Sequence, residues 1–136
     1  MSISKKTREI IRNKYNGRCA YTGKQLGDDW QVDHMTSKCN NEYMRLKIDI
    51  NNIDNLVPAL KIVNHYKRAK NLEGFRVYML NFHKRLAKLP KSTRLEKTAK
   101  RIKYMHEVAE AFEITVDKPF SGQFYFETYD EKSKSQ

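Results

Sequence analysis

Four polar side chains interrupt apolar stretches at places where they could serve one reaction. Asp33 and His34 end the run WQVDH, Asn55 opens NLVP, and Asn64 lies nine positions later in VNHYK. A carboxylate at Asp33 and a side-chain carbonyl at Asn64 are the hard oxygen donors that a Mg²⁺-type ion prefers. One or two such protein groups suffice, because water and phosphate complete the octahedron. An imidazole titrates near ~6.5, so at physiological pH His34 can accept a proton from water. Hydrolysis of a phosphodiester needs both functions: a nucleophile made from water, and a cation to absorb the charge that develops on phosphate and leaving oxygen. Each residue also has an ordinary use. An adjacent Asp-His pair serves as a surface pair or an oriented histidine, Asn55 as a turn residue, and Asn64 as a helix N-cap. His65 adjoins Asn64 but sits about 100° around a helix from it, and is the substitute ligand if Asn64 is not one.

The elements that must carry these residues are readable from apolar spacing. Ile3, Thr7, Ile10, Ile11 and Tyr15 form one helical stripe over Ser4 to Tyr15, stopped at Asn16-Gly17. Glycines at 23 and 27 mark a turn-rich knuckle in RCAYTGKQLGDD. Alternation of Trp30 and Val32 with Gln31 and Asp33 predicts a short strand ending near His34. Successive strand side chains face opposite ways, so the strand must end or twist at Asp33-His34 if both serve one site. A polar loop spans 35–52. NLVPAL predicts a second strand, with Pro58 at an edge or at its end. A helix opens near Asn64 and breaks around Asn71 to Gly74. Phe75, Tyr78, Phe82, Leu86 and Leu89 make an amphipathic stripe that ends at Pro90. Thr93 and Glu96 suggest a capping box for a further helix with Leu95, Ala99, Ile102, Met105, Ala109 and Phe112 on its apolar face. These two stripes, over 73–113, predict a helical hairpin. The aromatic run QFYFETY within 120–129 predicts a late strand or extended arm, and 130–136 a disordered tail.

The order Asp33-His34, Asn55-Leu56 and Asn64 with Lys67 three residues on resembles the HNH endonucleases, the ββα-metal class of nucleases, over residues 18–70. The resemblance implies an α+β fold: a small ββα-metal core, here with an N-terminal helix and a flanking C-terminal helical hairpin in a single domain of 1–136. It implies a metal-dependent endonuclease that hydrolyses DNA to a 5′-phosphate and a 3′-hydroxyl. His34 would activate water, Asp33 and Asn64 would hold Mg²⁺ or Mn²⁺, and the Asn55 amide would brace the loop carrying His34. Arg68 stands one turn on, where histidine-ligated relatives carry a ligand. It cannot ligate but could hold a phosphate. Lys67 and Lys70 on the same turn are further candidates for backbone contacts. Many relatives clamp this unit with zinc in Cys-x-x-Cys knuckles. Here Thr22, Leu60 and Val63 stand where three of the cysteines would be, leaving Cys19. One thiolate makes no four-ligand site, so no structural zinc is expected. Apolar packing among Tyr21, Leu26, Leu60 and Val63 is expected in its place. Cys39 has no evident partner, and His83 and His106 read as ordinary helix residues.

The charge agrees with a polyanionic partner. Lys and Arg total 27 against 16 Asp and Glu, a formal +11, and Lys61 to Lys103 holds 14 basic and two acidic residues. A field so concentrated meets nucleic acid most simply, through release of condensed counterions. Two rival readings share that charge. One is a non-catalytic nucleic-acid-binding module built on a degenerate HNH core, and the other a module that docks an acidic protein. There is no apolar run of ~18 residues for a membrane span. No secretory h-region opens the chain, and two cysteines build no disulfide framework, so a reducing cytoplasm is the expected compartment. Oligomeric state and target sequence leave no mark that can be read.

Overall fold

Two short strands hold the centre of the molecule, and helices cover them from both ends of the chain. The computed structural model describes residues 3–35 and 52–134. The expected polar loop and Cys39 therefore fall largely outside the described residues. Helix α1 (Lys5–Asn13) starts at Ser4, whose hydroxyl accepts the Thr7 N–H. The chain leaves it through Asn16 and Gly17, at φ 55° and 77°, the left-handed turn that the Asn-Gly pair predicts. Lys14 Nζ donates to the carbonyls of Ile53 and Leu56, fastening the end of α1 to the entry of the second strand. The knuckle then closes on itself through an Arg18–Gln25 bridge.

Strand β1 (Gln31–His34) pairs antiparallel with β2 (Leu56–Ala59), with His34 opposite Leu56 and Asp33 opposite Val57. Pro58 sits opposite Val32. In a two-stranded sheet every strand is an edge, so its missing N–H is tolerated. The proline carbonyl accepts from Ala20 and ties the knuckle to the sheet. Helix α2 (Lys61–Lys67) follows at once. It begins before Asn64, so that residue lies inside the helix rather than capping it.

The predicted hairpin is three helices: α3 (Leu72–Leu80), α4 (Phe82–Ala87) and α5 (Glu96–Phe112). Asn71 caps α3 by accepting the Gly74 N–H. The stripe from Phe75 to Leu89 is broken at Asn81, whose backbone leaves the helical region and whose side chain donates to the Val77 carbonyl. The Thr93–Glu96 capping box does not form. Leu95 is the N-cap of α5, and Thr93 Oγ1 accepts the Leu95 N–H instead. The late strand is also replaced, by helix α6 (Tyr125–Lys134), which runs into the expected tail. Aromatic strand propensity loses here to hydrogen bonding. The N–H groups of Tyr125 and Phe126 donate to the carbonyls of Tyr21 and Ala20, while Glu127 accepts the N–H of Phe124. A glutamate reaching back over three residues in this way is half of a capping box.

The core joins both halves of the chain. Phe75 and Phe124 are fully buried and stacked at 5.5 Å, and Tyr21 meets each edge-on. Arg76 seals this cluster from outside, with Nη1 and Nη2 on the Glu127 carboxylate, Nη1 also on the Gly122 carbonyl, and Nε on Glu73. The whole is a small α+β arrangement of helices around a two-stranded antiparallel sheet. Among the described residues no helix is long and apolar enough to cross a membrane.

Candidate functional site at the end of β1

Strand alternation decides which side chains of β1 face α2. Gln31 and Asp33 share one face, and on α2 the residues that meet them are three apart, on one helical face. Asn64 Nδ2 donates to Gln31 Oε1 at 2.7 Å. One turn on, Lys67 Nζ lies 3.1 Å from Asp33 Oδ2 and donates to the His34 carbonyl at 2.9 Å. The strand–helix seam is thus a ladder of two polar rungs.

The second rung is deeply buried. Lys67 is 0% exposed and Asp33 5%. The Tyr21 hydroxyl donates to the same Oδ2 at 2.5 Å, so one carboxylate oxygen serves an ammonium and a phenol. Burial pushes the Asp33 carboxyl above its ordinary value, against the pull of the Lys67 ammonium and the Tyr21 hydroxyl. Burial, and then the neighbouring carboxylate, raise Tyr21 well above the usual phenol range. Tyr21 therefore stays a neutral donor. The sequence marked Lys67 as a phosphate contact. Its ammonium instead points into the protein as the internal counter-ion of Asp33, because the i, i+3 step from Asn64 aims it at β1.

The other expected residues group around this seam. β1 ends at His34, where the strand must stop or twist for both residues to serve one site, and Asp33 feels the charge of the His34 imidazole. Asn55 is buried, and its carbonyl accepts the Met35 N–H at 2.9 Å. It therefore braces the backbone beyond His34 through its main chain. Arg68 is exposed and holds φ at 54°, a conformation that favours glycine. Lys70 lies with Nζ 4.5 Å from the centre of the Tyr78 ring. His65 faces away from the seam and meets the Tyr104 hydroxyl at 2.9 Å through Nδ1.

In the knuckle, Tyr21, Leu26 and Val63 are buried, and Leu60 packs beside them. Cys19 is fully buried, with the Leu60 N–H directed at its sulfur at 3.5 Å. An N–H···S contact and apolar side chains thus close the knuckle onto the start of α2.

The donor set of the seam fits a hard divalent cation in its chemistry. Asp33 offers a carboxylate and Asn64 the amide oxygen left by its bond to Gln31, with no soft ligand between them. Lys67 lodged against Asp33 shows that this position already holds a positive charge. Among the described residues no group of three or more His, Cys, Asp or Glu gathers to hold a metal, at the seam or elsewhere. The role of Tyr21 was not legible from spacing alone, since it lies 12 residues before Asp33 and meets it only through the fold. Neither a known protein family, nor a curated protein, nor a solved structure gives a significant match to this chain.

Proposed function

We propose that this chain is a metal-dependent endonuclease of the ββα-metal type that hydrolyses DNA phosphodiester bonds. The observation that carries the reading is the strand–helix seam. Two antiparallel strands followed by a helix carry Asp33 and His34 at the end of β1, Asn55 at the entry of β2, and Asn64 on the facing side of α2 against Gln31, in the order in which the resemblance to HNH endonucleases uses them. Asp33 and Asn64 would hold Mg²⁺ or Mn²⁺. The bound cation would neutralise charge developing on the phosphate and on the leaving oxygen.

The chain's own residues do the rest. His34 accepts a proton from water as the water oxygen attacks phosphorus. The P–O3′ bond breaks, and the departing oxygen takes a proton, leaving a 5′-phosphate and a 3′-hydroxyl. Lys67 fixes the His34 carbonyl and so the backbone that aims the imidazole. The Asn55 carbonyl holds the next residue. Arg68, exposed at the end of α2, would hold a flanking phosphate.

A second reading has one observation of its own. Asp33 Oδ2 already has two partners, so the seam also makes sense as the structural heart of a non-catalytic nucleic-acid-binding module. A supercoiled-plasmid assay with Mg²⁺, Mn²⁺ or EDTA separates the two. The nuclease nicks only with metal, and His34→Ala lowers the rate by roughly 10²–10⁴ while DNA binding is kept. Asn64→Ala should also abolish nicking at ordinary metal concentration. Nicking at full rate by His34→Ala overturns the catalytic assignment. DNA binding without nicking under any of these conditions establishes the binding module.

A further inference from the structure

The N-terminal half of α5 is a helix without a core. Leu95 is 68% exposed, Ala99 is exposed, and the first buried residue is Met105. Helical turns that bury no side chain gain little from tertiary packing and need another source of stability. Around them the charge is one-sided. Between Lys84 and Lys103 nine basic residues meet one acid, Glu96, and that acid is engaged by Lys100 in an exposed pair.

The direction of this charge matters more than its amount. On α5, Lys97, Arg101 and Tyr104 recur at steps of four and three, which lines them along one face. Lys97 and Arg101 are exposed and form no salt bridge among the described residues. Tyr104, the last of the line, bonds His65 on α2 and feels the charge of Arg68. The line therefore starts in solvent at the tip of α5 and ends against the helix that carries Asn64.

We infer that this face of α5 is a phosphate track, which holds duplex DNA along Lys97 and Arg101 and leads its backbone to Arg68 at the end of α2. A duplex carries one charge per ~1.7 Å of axis, a density that dispersed acidic side chains on a protein do not reach and that favours it as the partner of a row of cations on a rigid helix. Phosphate contacts of this kind set register and orientation without reading bases. The inference rests on the nucleic-acid part of the function proposed above and not on its catalytic part.

The test is fluorescence anisotropy of the whole chain with a short labelled duplex in EDTA, across a salt series. Lys97→Gln/Arg101→Gln should weaken binding and reduce the slope of log affinity against log salt by about 1.8, which is ~0.9 for each phosphate lost. The charge-matched Lys5→Gln/Lys6→Gln, on the exposed side of α1, should leave the slope near that of wild type. Equal effects of the two pairs would overturn the track in favour of net charge alone. Displacement of wild type from DNA by poly-glutamate as readily as by unlabelled duplex would overturn it in favour of an acidic protein partner. Because binding is read in EDTA, it does not depend on cleavage, and a wild type that nicks no plasmid with Mg²⁺ or Mn²⁺ but shows the predicted slope change refutes the nuclease and leaves the track standing.

Discussion

Replacing Lys67 by methionine should cost the fold about 3–5 kcal/mol, the range for removing one partner of a buried ion pair. The ammonium is wholly buried, 3.1 Å from Asp33 Oδ2 and 2.9 Å from the His34 carbonyl. Without it the carboxylate keeps the Tyr21 hydroxyl, and the His34 carbonyl loses a donor worth about 1–3 kcal/mol if nothing replaces it. Protonation limits the damage. Burial already raises the Asp33 carboxyl against its two partners, so in Lys67→Met the neutral acid takes over and the upper end of the range is not reached. Asp33→Asn/Lys67→Met removes both charges and keeps an acceptor for Tyr21, and should recover most of the loss, since replacing a buried pair outright is often neutral or stabilising. Urea unfolding followed by circular dichroism reads these differences as midpoint shifts at constant slope. They are large against a total stability of about 5–15 kcal/mol. The pH dependence has a fixed sign. A carboxyl raised in the folded state binds its proton more tightly there than in the unfolded chain. The stability of Lys67→Met should therefore fall as pH rises from the ordinary carboxylate range to the folded value, and level off above it. A single variant within ~1 kcal/mol of wild type, or a double variant no better than the single, would refute the internal ion pair as the bond that holds α2 to β1.

Two further outcomes concern the attachment of the C-terminal helix. Gly23 holds φ at 76°, and a Cβ there would stand 2.5 Å from the Tyr125 ring. Gly23→Ala should cost about 1–3 kcal/mol, and in the Tyr125→Ala background distinctly less, read in the same urea titrations. Burial acts to raise the Glu127 carboxyl, but hydrogen bonds from Arg76 and the Phe124 N–H outweigh it and hold the group below its ordinary value. Its contribution is therefore complete above the ordinary carboxylate range and is lost as pH falls through the depressed folded value. Glu127→Gln should flatten that part of the stability profile in acid, and an unchanged profile would remove Glu127 from the account.

What the sequence made legible follows the range of the interactions concerned. Helix α1, both strands and the break before α3 rest on local signals: Ser4, Asn16-Gly17, the alternation into His34, Pro58 and Asn71. All stand where those signals put them. The late aromatic run failed as a strand because its outcome depends on carbonyls a hundred residues away, at Ala20 and Tyr21. Its one local clue is Glu127 three residues after Phe124, which the aromatic reading of the run passes over. The capping box at Thr93 failed for the opposite reason. Two residues suited to a cap were present, but the side chain found the nearer N–H of Leu95.

Lys67 shows how far a site can be read before folding. Its step of three from Asn64 was visible and placed both on one face of a helix. That face could meet solvent or the strand, and spacing alone does not choose between them. The Tyr21 hydroxyl bonds the Asp33 carboxylate and its ring lies 6.0 Å from the Lys67 ammonium, so the choice is made by a long-range contact that spacing does not show. The consequence bears on any experiment with this chain. An internal ammonium that neutralises Asp33 lets the seam fold without a bound metal, so on the proposed function chelation should silence cleavage without unfolding the protein. Loss of nicking in EDTA, or in His34→Ala, can then be read as lost chemistry. In a ββα unit whose carboxylate depended on metal for its only counter-charge, the same loss would be ambiguous.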